Sequence, residues 1–272
     1  MKLQWFISFW VIFLSLGTSA LSQTNTRTAN EGKFGFRLSS GMGQYSSLVV
    51  PAQLGSLQEV AAIQANMQGI PVSLELEKPL QSDYGLAIGG SGLFMSALAG
   101  PDGRQDSSYR LWRLWSGAQE AVTWSILEIG PRATAQRQTF MNVSTGHNVD
   151  SLLLGLTMSL NGGGNWSLES NAGYAAWAQI GYNDGKSFAS KPLKGSQARV
   201  WVWDMSGKRT LSRNASLLLE YSLENSTVVI NDFDSYRPYG LAQPAGFGSD
   251  VTMRSTYYLQ AQSVRLGFEK HW

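Results

Sequence analysis

The chain has 272 residues, a formal net charge of +2 at neutral pH, no cysteine, and 15% charged against 43% hydrophobic residues. A soluble domain usually carries about a quarter charged residues, so this surface is short of charge, while a mean hydropathy of −0.14 excludes a bundle of apolar helices. The missing cysteines exclude disulfides, thiolate metal sites, a cysteine nucleophile and a lipidated N-terminal cysteine, and the small net charge offers no electrostatic case for a nucleic-acid partner.

Residues 1–22 read as a cleaved secretory signal. Lys2 is a minimal positive start, Trp5 to Leu16 form the apolar stretch, and Gly17, Thr18, Ser19 and Ala20 supply small residues for cleavage after Ala20 or Ser22. The apolar stretch is shorter than the roughly 20 residues a spanning helix needs. Any insertion of the mature chain into a membrane must therefore use strands. Residues 23–32 read as a periplasmic extension and residues 33–272 as one barrel domain.

Alternation, the mark of a half-buried strand, recurs along the mature chain. Phe34, Phe36 and Leu38 share one parity, followed by Ile70, Val72, Leu74 and Leu76, then Tyr84, Leu86 and Ile88 running toward Leu98. Tyr109, Leu111 and Trp115 mark a fourth segment, and Val122, Trp124 and Ile126 a fifth. Leu152, Leu154, Leu156, Met158 and Leu160 mark the sixth, and Trp166, Leu168, Tyr174, Ala176, Ala178, Ile180 and Tyr182 the seventh. The eighth covers residues 197–205, where Val200, Trp201, Val202 and Trp203 leave the outward face ambiguous. Leu211, Leu217, Leu219, Tyr221 and Leu223 mark the ninth, and Tyr258, Val264, Leu266, Phe268 and Trp272 the last.

The links between these segments alternate in length. Long ones fall at 42–68, 100–107, 131–149, 183–195 and 224–250. Tight ones fall near 79–83, 116–119, 161–165 and 205–208, with the Gly, Asn, Asp, Ser or Pro that turns require. Short periplasmic turns and long external loops are the habit of an outer-membrane barrel, whereas a soluble β-sandwich has no reason to alternate them. The expected fold class is all-β: a transmembrane antiparallel up-and-down β-barrel of about ten strands, with eight or twelve as alternative counts. Ala133 to Val143 is the stretch that could add a hairpin. In the first long link, Ser56 to Glu59 has the form of a helix capping box. The many tryptophans in or at the ends of the strands suit a bilayer interface.

Val264, Leu266, Phe268 and Trp272 resemble the C-terminal assembly signal of the bacterial outer-membrane β-barrel superfamily, with Lys270 standing where an aromatic or apolar residue is commoner. The resemblance implies insertion in the outer membrane by the barrel assembly machinery, among outer-membrane lipid and lipopolysaccharide.

If the apolar parity faces lipid, Arg37, Glu75, Glu77, Arg110, Glu169, Glu220, Arg265 and Glu269 line the lumen. Opposite charges in so narrow an interior should pair. A barrel near eight strands is filled by its own side chains. The expectation is a narrow channel for small polar solutes, or a structural and surface-binding barrel with long external loops. No phosphate loop, dinucleotide fingerprint or metal-ligand spacing occurs, so no cofactor or metal is expected. The alternative is an outer-membrane hydrolase at the extracellular rim. His147, with Ser144 and Asp150 nearby, is the minimum for acyl transfer. The strand count is also similar to that of the omptin proteases, which carry an Asp-x-Asp pair facing an Asp-x-His pair. Here Asp232 and Asp234 supply the first pair, but the spacing of His147 and Asp150 departs from the second, and the pairs come in the reverse order.

Overall fold

In the computed structural model, residues 34–52, 63–80, 86–99, 108–118, 122–142, 145–162, 165–183, 191–192, 197–230 and 254–272 are described. They form β1 (Gly35–Ala52), β2 (Ile63–Pro79), β3 (Leu86–Ala99), β4 (Ser108–Ala118), β5 (Val122–Trp124) and β6 (Leu127–Asn142). The second half holds β7 (Thr145–Asn161), β8 (Trp166–Asn183), β9 (Lys191–Pro192), β10 (Gln197–Ser212), β11 (Ala215–Ile230) and β12 (Arg254–His271). The signal segment and the capping box at Ser56 to Glu59 lie outside the described residues.

Every pairing is antiparallel, and β12 pairs with β1 from Gly35↔His271 to Ala52↔Arg254, which closes the sheet. The twelve segments make ten columns of the wall. β5 continues the column of β4, pairing with Leu127 to Ile129 of β6 while β4 pairs with Arg132 to Met141. β9 likewise continues β10 along β8. β8 and β10 complete the closure from Trp201↔Tyr174 to Arg209↔Trp166, so the lower part of the wall pairs its strand edges as a hydrocarbon environment demands.

The first and last described residues meet at one end, where Phe34 and Trp272 exchange backbone hydrogen bonds of 3.1 and 3.2 Å. The same end carries the turns at Ser125–Ile126 and Arg213–Asn214. The short turns at 125–126 and 213–214 thus gather at the end that holds Phe34 and Trp272.

Three of the expected connections are corrected. Residues 116–118 are not a turn but the end of β4, whose column β5 continues to the turn at 125–126. Residues 131–149 are not a loop: β6 and β7 run through them, leaving only 143–144 between. Residues 133–142 therefore add no hairpin and belong to β6, with Val143 outside the described residues, while the expected fifth strand at 122–126 is the short β5 and its turn. The last tight turn lies at 213–214 rather than 205–208, because β10 continues unbroken to Ser212. In β10 the run Ser206, Gly207, Lys208 and Arg209 reads as a turn although the strand continues through it, and in β6 the outward Pro131, Ala133 and Ala135 are too small to mark a face.

Strands of 16 to 18 residues are long for a bilayer. At about 3.3 Å per residue and a tilt of about 40°, 18 residues rise about 45 Å, against an apolar belt of about 25 Å. The outward residues divide accordingly. On β7, Leu152, Leu154, Leu156, Met158 and Leu160 are exposed on the outer wall, and Asp150 continues the same face above them. On β1 and β12, Leu38, Met42, Val264, Leu266 and Phe268 lie in the belt, and Gln44 and Gln262 stand above it, joined at 3.1 Å.

The inward face makes the opposite change at the same height. Within the belt it is polar and charged, including Glu269, Ser39, Ser159 and Thr157. Above the belt it is apolar, with a core of Tyr45, Met67, Met95, Tyr109, Phe140, Val149, Ile180, Val200, Val228 and Tyr257. Each strand therefore exchanges its apolar parity as it leaves the membrane. Hydrocarbon surrounds the lower wall and water the upper, so the apolar side must face outward in one and inward in the other.

Candidate functional site

The interior holds three layers. The lowest is centred on Arg37 of β1. Its guanidinium lies 2.7 Å from Glu269 on β12, 3.3 Å from Glu75 and 3.8 Å from Glu77 on β2, and 3.4 Å from Glu169 across the lumen on β8. Cross-strand register accounts for the near contacts, since Arg37 is paired with both Glu269 and Glu75. Lys208 of β10 also meets Glu269, and His271 Nε2 lies 3.2 Å from the same carboxylate. Beside this cluster Arg265 donates to Glu220 at 3.1 Å and to Ser263 at 2.6 Å, while Ser39 donates to Glu220 at 2.5 Å. Glu269, 1% exposed, thus lies between the cations Arg37 and Lys208 and beside the His271 ring.

Above it, Arg132 of β6 donates to Asn171 of β8 at 2.9 Å and stacks over the inward ring of Trp115 at 4.1 Å. Gly89 on β3 makes room for that indole, because a Cβ there would strike the ring. A cavity of about 20 Å³ lies among Arg113, Arg132, Asn171 and Asp204, about the space of one water.

The second layer is built around Glu224 of β11. Tyr109 donates to it at 3.0 Å, Gln136 at 2.6 Å, and Gln138 also donates to it. Arg113 reaches Asp204 at 2.7 Å and Glu224 at 3.5 Å, and Ser226 donates to Gln138 at 3.0 Å. A carboxylate this deep is tolerated because its lone pairs are met by several donors.

The third layer is the apolar core. Tyr45 stacks on Phe140 with ring centroids 4.4 Å apart and on Tyr109 at 5.9 Å. Val149, Val200 and Val228 are fully buried beside them. Tyr109 joins the layers, its ring in the core and its hydroxyl on Glu224.

Of the residues expected inside, Arg37, Glu75, Glu77, Glu169, Glu220, Arg265 and Glu269 meet in the lowest layer. Arg110 is corrected: it is exposed on the outer wall, while its neighbours Tyr109 and Leu111 are buried. β4 is one of the strands where the parity exchange lies, so its inward apolar residues look outward-facing in sequence. The Glu224 layer was not read from the sequence. Its signal is a polar residue facing inward on each of several strands, at Arg113, Gln136, Asp204 and Glu224. Of the assembly-signal residues, Val264, Leu266, Phe268 and Trp272 are exposed on the outer wall, with the Trp272 ring 5.9 Å from Phe34 and 6.2 Å from Phe36.

The candidate catalytic residues are not assembled among the described residues. His147 lies in β7, paired with Phe140 and Tyr182. Asp150 is held by Arg137 through bonds of 2.6 and 2.8 Å. Ser144, Asp232 and Asp234 lie outside the described residues.

No family model matches the chain, and no curated protein matches it in sequence. Among solved structures it is similar to the outer membrane protease OmpT from Escherichia coli, with a TM-score of 0.56 and 12% identity over 94% of this chain and 100% of that one. The chain shares its closed antiparallel β-barrel fold with that bacterial outer-membrane protein. At this identity the likeness is one of fold. Looser likenesses of this barrel are to the outer membrane protein OprG from Pseudomonas aeruginosa, at a TM-score of 0.34 and 7% identity over 90% of this chain and 99% of that one. A Pseudomonas aeruginosa FadL homologue follows at 0.31 and 8% identity over 94% and 96%.

Proposed function

We propose that this barrel is a closed structural and surface-binding scaffold of the outer membrane rather than a solute channel. One observation carries the reading: the interior is packed across its width, first by ion pairs around Arg37 and Glu224 and then by the Tyr45, Tyr109 and Phe140 stack. A hydrated ion or sugar would have to displace aromatic side chains to pass. A narrow barrel is expected to be filled in this way. Its partners on this reading are outer-membrane lipid and lipopolysaccharide around the wall and the assembly machinery at the C-terminal strand.

The test is planar-bilayer conductance of the mature, detergent-folded protein. A silent barrel is expected, and steady single-channel steps abolished by Glu75→Ala/Glu77→Ala would overturn the reading in favour of a polar pore. Hydrolysis of lipid esters or peptides by the wild type, lost in His147→Ala, would overturn it in favour of an enzyme at the rim.

A further inference from the structure

On the outer wall above the lipid belt, β11, β12 and β1 present a grid of paired outward positions. One row is Asn225, Gln260 and Ser46, and the next is Thr227, Tyr258 and Leu48. The row below is Leu223, Gln262 and Gln44, in which the two amides bond each other at 3.1 Å. Below that come Tyr221, Val264 and Met42, where the apolar belt begins.

The grid is concave. A cavity of about 210 Å³ opens on the wall, lined by Ser46, Leu48, Asn225, Thr227, Tyr258 and Gln260, far more room than one bound water needs. Tyr258 is 48% exposed and offers a ring face there. Asn225 and Gln260 bring amides that both donate and accept, and Ser46 and Thr227 bring hydroxyls. Among the described residues, no charged side chain lines the cavity. Arg199 of β10, the cross-strand partner of Thr227, stands exposed at the edge of this face, and farther round the wall Arg110 is exposed and Arg137 is paired with Asp150.

We infer that this groove holds the sugar head of an outer-leaflet glycolipid. The inference does not rest on whether the lumen is closed, because the groove is on the outside of the wall. Three features choose the occupant. The height fits, since the grid begins two outward steps above the belt, about 10 to 15 Å along the strand at about 3.3 Å per residue. A molecule anchored by acyl chains on the belt would present its head there. The chemistry fits a polyhydroxylated ring, which offers C–H edges to an aromatic face and hydroxyls to paired amides. Among the described residues the lining itself carries no cation and Arg199 stands only at its edge, which favours an uncharged sugar over a phosphate held by arginine or lysine.

The experiment uses the full mature barrel in nanodiscs of zwitterionic phospholipid doped with an uncharged, diacyl-anchored oligosaccharide. The same anchor without sugar serves as the reference, and retention through purification is read by native mass spectrometry. Wild type is expected to retain the sugar-bearing lipid over the bare anchor. Tyr258→Ala should weaken that preference about tenfold, as loss of an aromatic contact typically does. Ser46→Trp, which fills the groove and leaves Tyr258 in place, should abolish it. Both side chains face outward, so cold-gel mobility can verify that each variant is folded. Equal retention of the two lipids by wild type, or equal preference in wild type and both folded variants, would overturn the inference. So would a preference shown only by phosphorylated anchors.

Discussion

Replacing Arg37 by methionine is the sharpest test of the layered interior. The substitution keeps most of the volume and removes the charge that faces Glu75, Glu77, Glu169 and Glu269 at 2.7 to 3.8 Å. Arg37 is 14% exposed at its side chain and Glu269 only 1%, so solvent offers little compensation. Removing one partner of a buried pair costs about 3–5 kcal/mol. Here one cation serves four carboxylates, and Lys208 remains for only one of them, which argues for about 4 kcal/mol or more. With a urea slope of about 3 kcal/mol per molar, the midpoint should fall by about 1.3 M. The assay is equilibrium unfolding in lipid vesicles, followed by tryptophan fluorescence near pH 8. The deficit should shrink as the pH is lowered, because protons neutralise the carboxylates left without a partner. Adding Glu269→Gln to Arg37→Met should recover part of the loss at pH 8, since it removes one stranded charge. A midpoint shift under about 0.3 M, or a deficit that grows on acidification, would refute the network as described.

Other substitutions separate the zones of the wall. Arg137→Ala breaks a pair whose side chains are about 30% exposed, so it should cost no more than about 1 kcal/mol in the same unfolding assay and less in high salt. Leu156→Arg places a charge in mid-belt at a side chain 51% exposed to lipid, and should cost about 2–4 kcal/mol when measured in vesicles. Trp272→Ala removes the terminal ring packed near Phe34 and Phe36. It should lower the yield of assembled barrel in cells, read by heat-modifiable mobility, while refolding from urea in detergent stays near wild type.

The residues at Leu152 to Leu160 and Val264 to Trp272 announce their strands in the sequence, because a full bilayer's worth of alternation lies on one parity there. β4 and β10 do not, and the reason is the same in both. Val200 and Val202 face the core above the membrane while Trp201 and Trp203 face outward, so both parities are apolar where the two environments meet. Arg110 is misplaced by the same logic, since Tyr109 and Leu111 are apolar on account of the core rather than the lipid. β6 is hidden differently. Its outward positions Pro131, Ala133 and Ala135 are small, and its inward Thr134, Gln136 and Gln138 are polar, so neither face is marked by large apolar residues. Arg37 and its carboxylates were legible as inward charges because they sit on strands with clean alternation. Glu224 was not, because it lies above the last outward leucine of β11, where alternation has stopped.

The exchange of apolar parity along each strand gives the two halves of the wall different responses to temperature. Around Tyr45 and Phe140 the cohesion comes from excluding water, which weakens as the solution cools. Around Arg37 it comes from ion pairs among largely buried charges, whose attraction does not fade in the cold. Chilled toward freezing, the protein should therefore loosen first at its outer end, while the embedded ring holds its shape.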